Sequence, residues 1–293
     1  MLAVAVQASL PCGGVYRRTG KDGPLEMASI ASEKAIIVWE PSSQTETFIR
    51  TANFQGKGAD FGFIVPSPTE PELSEVTPGV YSVLDVILNK RYPHPVAPGG
   101  LRAGSGGFGG GGGGGHVEIV KEQVVSGMKA TVLKATDTEA LELWLANNEY
   151  VATPEVMRWT EFYVANNYYL TAFKIDRKPG NEQIKTATVK MVFRTKIPFY
   201  PYREPQGQGQ KNGARSLAVY FIAPWLAKAR YMNSTQAWEA SRKDVDDMDQ
   251  DEGKRFTDAA KMDLSQTPAE PKFTYFLDSN RIRPDKDVIF EHR

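Results

Sequence analysis

The chain holds one cysteine, Cys12, and three histidines, His94, His116 and His292. A single thiol forms no internal disulfide, and it excludes zinc sites built from four cysteines or from two cysteines and two histidines. A site of three imidazoles would need all three histidines to converge, yet His94 and His116 stand in Pro- and Gly-rich stretches. Charge of one sign is lacking as well, since 35 Lys+Arg balance 35 Asp+Glu. A zero balance removes the broad positive field that draws proteins to nucleic acid or to anionic membrane. No apolar run approaches the roughly 18 residues that a membrane-spanning helix requires. Neither G-x-S-x-G nor H-E-x-x-H occurs, and no Lys-Ser/Thr pair completes a phosphate-binding loop. No repeat with a period of a few tens of residues is evident, which argues against a solenoid or propeller.

What is present suits a folded, core-bearing chain of 293 residues, 41% of them hydrophobic. "KAIIVWE" and "TETFIRTANF" predict strands on either side of a turn at 41–44. In "ADFGFIVP", Phe61, Phe63 and Val65 fall on one face with period 2, the mark of a half-buried strand. Pro66, Pro68 and Pro71 then remove backbone donors and halt it. Val80, Val83, Leu84 and Ile87 predict a short amphipathic helix. Ser126-Gly127 between "VEIVKEQVV" and "MKATVLKA" predicts a β-hairpin.

Thr136 and Glu139 have the spacing of a capping box, opening a helix with Leu141, Trp144 and Leu145 on one face. Thr153 followed by Pro154 opens a second, with Val156, Trp159 and Tyr163 in a stripe. "YYLTAFKI", "KTATVKMVF" and "SLAVYFIAP" return to strand. The expected fold is α+β: a mostly antiparallel sheet, a helical pair packed on one face and a polar C-terminal extension. In this reading residues 1–11 are the remnant of a signal peptide, with apolar Leu2–Val6 before the small-residue pattern Val6-Gln7-Ala8. Residues 12–225 form the α+β domain, with a Gly-rich insertion at about 93–116. Residues 226–293 form a polar, partly helical extension that ends in a strand pair around Asn280.

Four stretches hint at chemistry. Gly104, Gly106 and Gly109 match G-x-G-x-x-G, but no strand precedes them and "VEIV" after them is no helix. Without that setting no helix N-terminus receives a pyrophosphate, so the tract reads as a flexible insertion and no nucleotide is implied. Asp247, Asp249, Asp251 and Asp258 are spaced like the ligands of a calcium loop. Glu252 occupies the place of the turn-forming glycine, Gly253 comes one residue late, and Asp258 replaces the bidentate Glu. A solvated acidic helix or loop is the competing reading. Asp60, Asp85, Glu142 and Glu161 could supply paired carboxylates, although nothing in their spacing brings two together. Tyr168, Tyr169, Phe199, Tyr200 and Tyr202 gather near strand ends, where they either form a binding surface or close the edge of the core. No catalytic residue and no cofactor is assigned.

Three segments, "KAIIVWEPSSQTETFIRTANFQGKGADFGFIVPSPTEPEL", "ATDTEALELWLANNEY" and "YYLTAFKI…MVFRTKIPFYPYREP", resemble the bacterial family called domain of unknown function 2330. The resemblance covers about residues 12–225 and includes the segment D-F-x-[FW]-[IV]-x-P-x-P and the "CGG" near the start. It implies an exported bacterial protein with an α+β domain and no established activity, and it assigns no role to any position. Further cysteines often seen near "CGG" in that family are absent here. The expected function is that of a binding or structural module of the cell envelope, outside the cytoplasm, with an envelope protein or polysaccharide as partner. The alternatives are a hydrolase acting on envelope polymers through paired carboxylates and a weak calcium-binding, adhesin-like protein.

Overall fold

The computed structural model describes residues 14–16, 29–55, 61–77, 79–93, 117–148, 150, 153–175, 183–185, 188–205, 216–263, 267–280 and 283–293. Residues 1–11, Cys12, Asp60, His94, the glycine tract with Gly104, Gly106 and Gly109, and His116 lie outside them. In chain order the first half runs β1 (Gly14–Tyr16), β2 (Ser29–Glu40), β3 (Thr45–Gln55), β4 (Phe61–Ser67), β5 (Glu72–Glu75), α1 (Val80–Arg91), β6 (Val117–Val125), β7 (Met128–Ala135), α2 (Thr138–Asn147) and α3 (Pro154–Ala165). The second half runs β8 (Tyr169–Ile175), β9 (Gln183–Lys185), β10 (Val189–Arg194), β11 (Phe199–Tyr200), β12 (Ser216–Ala223), β13 (Ala227–Tyr231), β14 (Ser241–Val245), α4 (Gln250–Ala260), β15 (Lys272–Asp278) and β16 (Val288–His292). The protein is a mixed, sheet-dominated α and β structure.

Three sheets form. One has eight strands, ordered β14-β15-β12-β2-β3-β10-β5 with β9 also on β3; one has five, ordered β1-β4-β8-β7-β6; one has three, ordered β11-β16-β13. Pairing among the described strands is antiparallel except between β12 and β2. Period 2 then sorts side chains into layers. On β2, Ala35, Ile37 and Trp39 enter one core while Ile36 and Val38 enter another. The first core is shared with Phe63 and Val65 of β4, Phe173 of β8, and Ile289 and Phe290 of β16, so the three sheets meet there. The second joins Ile36, Ile49 and Tyr220 to Val80, Leu84 and Ile87 of α1 and to Phe256 of α4. On the far face of the five-stranded sheet, Ile64, Leu133 and Leu170 cluster with Leu141 and Leu145 of α2 and with Val156, Trp159 and Tyr163 of α3.

Local signals explain most element ends. Ser126 (φ 53°) and Gly127 (φ 78°) make the two-residue turn between β6 and β7 that a right-twisted hairpin favours. Thr153 caps α3 through Val156 N–H, with Pro154 in the first turn. The cap of α2 is Asp137 rather than Thr136: Asp137 is extended, its carboxylate accepts Ala140 N–H at 2.7 Å, and Thr136 donates its hydroxyl to that carboxylate. A charged acceptor on the residue next to the helix outcompetes the hydroxyl one position earlier.

Beyond residue 226 the polar composition conceals regular structure. β15 lies inside the eight-stranded sheet between β14 and β12, and its Phe273 and Phe276 are buried. β16 is the centre of the three-stranded sheet. The two last strands therefore join different sheets and do not form the terminal pair that their spacing around Asn280 predicts. α4 is held at both ends. Asp249 and Glu252 complete a capping box at its start, and Glu252 takes Lys90 of α1 at 2.8 Å. At its end Lys190 of β10 donates to the carbonyls of Ala260 (3.2 Å) and Lys261 (2.5 Å). Burial lowers the Lys190 pKa, and the helix C-terminus is what makes its charge tolerable there. Replacing Lys190 by Met should leave the fold intact but loosen α4 by about 1–2 kcal/mol, read as faster amide exchange in 256–260. Unchanged exchange there would remove Lys190 as the anchor.

Candidate functional site

Two concentrations of polar side chains stand out. The first is sealed inside the core. Glu33 and Arg50 project from β2 and β3 into the space between the sheets, where Arg50 Nε donates to Glu33 Oε1 at 2.5 Å and its guanidinium lies over the Phe63 ring. Arg283 approaches from the β15–β16 connection and pairs with Glu204 (3.3 Å), Glu33 (3.7 Å) and Asp278 (3.9 Å), with its guanidinium over the Tyr202 ring. Tyr202 donates its hydroxyl to Asp278 at 2.8 Å. Burial pushes the Glu33 carboxyl up, but Arg50 and Arg283 outweigh it and leave Glu33 below its ordinary value. Every member is at most 4% exposed, so the network is buried among the described residues.

The second concentration is open. Segments from six places, Ile289 of β16 among them, meet around a cleft of about 1070 Å³. Gln44 comes from the β2–β3 turn, Pro68 and Thr69 from the end of β4, Tyr168 from the α3–β8 turn, residues 194–199 from the β10–β11 connection, and Arg230 to Thr235 from β13 and its turn. The 194–199 wall is fixed by its own backbone. Arg194 N–H donates to Thr69 Oγ1 (2.9 Å), Thr195 N–H to Gln44 O (3.0 Å) and Phe199 N–H to the buried Glu46 carboxylate (2.9 Å). Arg230 is bound to Glu291 (2.6 Å) and donates to Ser234 O (2.8 Å), which spends its charge on holding the opposite turn. Arg194 and Lys196 are exposed, and no acidic residue lines the cleft among the described residues. Ile197 remains 47% exposed beside them.

Behind the aromatic wall stand two buried carboxylates. Asp287 Oδ1 accepts from Tyr163 OH (2.9 Å) and from Arg203 N–H (3.0 Å), while its backbone carbonyl accepts from Met232 N–H (2.7 Å). Burial pushes its pKa up to about 6 against those two donors. Glu46 is raised for the same reason, with only Phe199 N–H opposing. Tyr168 packs against Tyr163 and Phe199 and lines the cleft half-buried. Its hydroxyl is pushed up to about 12, first by burial and then by Asp287 and Glu46, so it remains a donor at any physiological pH.

The aromatic residues named from sequence divide. Tyr168 and Phe199 reach the cleft; Phe199, Tyr200 and Tyr202 are at most 1% exposed, so Tyr200 and Tyr202 are core side chains and not a surface. Tyr169 lies on β8 beneath Lys134, 4.2 Å from its ring. The four aspartates are drawn apart by a helix. Asp249 caps α4, Asp247 stands 3.8 Å from Arg91, and Asp251 and Asp258 are exposed. Seven residues of helix separate Asp251 from Asp258 by about 10 Å, too far for one cation with ligands near 2.4 Å. Among the described residues no group of three or more His, Cys, Asp or Glu is placed to hold a metal ion. Asp85 of α1 takes Lys34 (2.9 Å) and Tyr220 OH (2.5 Å), while Glu142 and Glu161 are exposed on α2 and α3. Sequence reasoning missed Arg194, Lys196 and the 230–235 turn, because only the meeting of distant loops gives them a common purpose.

Residues 6–260 match the family model of domain of unknown function 2330, described as an uncharacterized protein conserved in bacteria; the chain belongs to that family. The match runs through β13, β14 and α4. No curated protein matches the chain. The crystal structure of baculovirus P35 is similar with a TM-score of 0.44 at 6% identity, covering 91% of this chain and 98% of that one. A likeness of that size carries no argument about function.

The raised Asp287 carboxyl has a definite consequence for stability. Folded Asp287 keeps a proton to about pH 6, whereas its ordinary value is 3.8. Stability therefore falls as pH rises between those values, by about 3 kcal/mol in all. Asp287→Asn keeps an acceptor for Tyr163 and Arg203 but cannot ionise. The variant should gain on the wild type by roughly 2–3 kcal/mol between pH 4 and pH 7 in urea unfolding. Parallel pH profiles would show that Asp287 does not ionise in that window.

Proposed function

We propose that this family member is a non-catalytic binding module of the bacterial cell envelope, working outside the cytoplasm and holding its ligand in the cleft between Tyr168, the 194–199 wall and the 230–235 turn. The observation that carries this reading is the composition of the cleft. Exposed cations, side-chain amides, hydroxyls and an aromatic ring line one concave surface, which is how proteins fix polar ligands. Hydrolysis through paired carboxylates, the alternative reading, needs those carboxylates within reach of the ligand. Among the described residues no acid lines the cleft: Glu46 and Asp287 are at 0% exposure, and Glu291 is paired with Arg230 at 2.6 Å. The location outside the cytoplasm is supported by the apolar Leu2–Val6 run with its small-residue pattern.

Tyr168→Ala tests the reading. With a melting temperature within a few degrees of wild type, the variant should lose most of its retention of solubilised envelope fraction, whereas Tyr275→Phe on the opposite side of the eight-stranded sheet should keep it. Equal retention by all three proteins would take the binding site away from the cleft. Fractionation of the producing bacterium should place the protein outside the inner membrane, and a cytoplasmic pool alone would contradict the location.

A further inference from the structure

If the cleft is the binding site, a premise on which the ligand's identity rests, its lining also specifies a chemical class. An extended peptide is captured by pairing with free backbone donors and acceptors along a strand edge. The 194–199 wall offers almost none. The N–H groups of Arg194, Thr195 and Phe199 are spent on Thr69, Gln44 and Glu46, Ile197 N–H points to Thr195 Oγ1 at 3.4 Å, and Pro198 has no N–H. β11, the adjoining edge strand, is two residues long. Recognition must therefore come from side chains. Those available are two exposed cations, Arg194 and Lys196, together with Gln44, Asn233 and Thr235, the Tyr168 ring and the exposed Ile197. No acid among the lining residues offsets the two cations, so the electrostatic complement is an anion. Amides, a hydroxyl and an aromatic face beside that charge match the alternating hydroxyls and apolar ring faces of a sugar.

We infer that the cleft binds an acidic oligosaccharide chain, with Arg194 and Lys196 pairing its anionic groups and Tyr168 and Ile197 contacting its sugar faces. Carboxylate-bearing and phosphate-bearing chains share this chemistry, and the experiment separates them. Calorimetric titration of the full chain at low salt would use four probes: a short polygalacturonate, a short phosphomannan oligosaccharide, a neutral maltooligosaccharide and a polyglutamate peptide of similar length. At least one of the two acidic non-peptide chains should bind. Replacing Arg194 and Lys196 together by Gln should weaken it by about tenfold or more, as expected for two charge-assisted contacts. Replacing Arg158 and Lys254, exposed cations on α3 and α4, should change it by less than about twofold despite the same loss of charge. The whole pattern identifies which anion is preferred. Equal weakening by both pairs would reduce the effect to net charge and overturn the inference, as would binding of none of the probes or preference for polyglutamate. Tight binding of the neutral chain that Tyr168→Ala abolishes and the Arg194/Lys196 change leaves alone would overturn the acidic class while sparing the cleft as the site. Binding untouched by either cleft change would sink both.

Discussion

The fold depends on charge placed where water cannot reach it. Glu33, Arg50, Arg283, Glu204 and Asp278 are contributed by β2, β3, β15 and two connections, and they meet between the sheets. Removing ions from water costs several kcal/mol each, and their mutual attraction repays this only when geometry and hydrogen bonding are good. Such a network adds less to stability than an apolar core of equal volume would. What it does is reject alternatives, because any packing that separates the partners strands a bare charge in the interior. Arg283, in the β15–β16 connection, meets Glu33 of β2, and β16 pairs with β11 and β13.

The cleft is a by-product of the same arrangement. β16 supplies Ile289 to its floor, β11 supplies Phe199, and Asp287, one residue before β16, holds Met232, Arg203 and Tyr163 from three other segments. Two buried glutamates on neighbouring strands show how environment sets behaviour. Glu33 has two guanidiniums beside it and stays ionised; Glu46 has one backbone N–H and is pushed toward the neutral acid. The charged pair organises the centre, and the two acids that burial pushes up back the wall of the cleft. Arg194 and Lys196 stand beyond that wall, where solvent carries part of the cost of their charge.

Much of the layering was legible in period 2 and in turn chemistry. Phe63 and Val65, the Ser126-Gly127 turn, and Thr153 with Pro154 each satisfied a local rule, and the tertiary structure agreed with them. The buried network left a fainter trace that could have been followed. Glu33 shares a strand face with Ala35, Ile37 and Trp39, and Arg50 shares one with Phe48 and Ala52, so each is a charge on the buried parity of its strand. Arg50 pairs in register with Ala35, which makes Glu33 its diagonal neighbour. Opposite charges at such positions on two strands joined by a short turn are a signature of a buried pair. Arg283 and Glu204 carried no such mark, because both lie outside strands. The last 68 residues misled through composition: "DVDDMDQDEGKRF" is acidic because α4 exposes one face and caps its own start, while β15 hides its aromatics among polar neighbours. The cleft was illegible for a different reason. Its lining comes from six segments spread between Gln44 and Ile289, and no local pattern records their meeting.

The role of the buried charges is tested most directly by a double-mutant cycle across the centre of the network, using Arg283→Met and Glu204→Gln singly and together in urea unfolding. Arg283→Met alone should cost about 3–5 kcal/mol, since it leaves Glu204, Asp278 and part of Glu33 uncompensated, and adding Glu204→Gln should restore at least about 1.5 kcal/mol of the loss. Strict additivity of the two changes, or a small cost for Arg283→Met, would mean that the interior charges are bystanders and that apolar packing alone selects this arrangement of sheets.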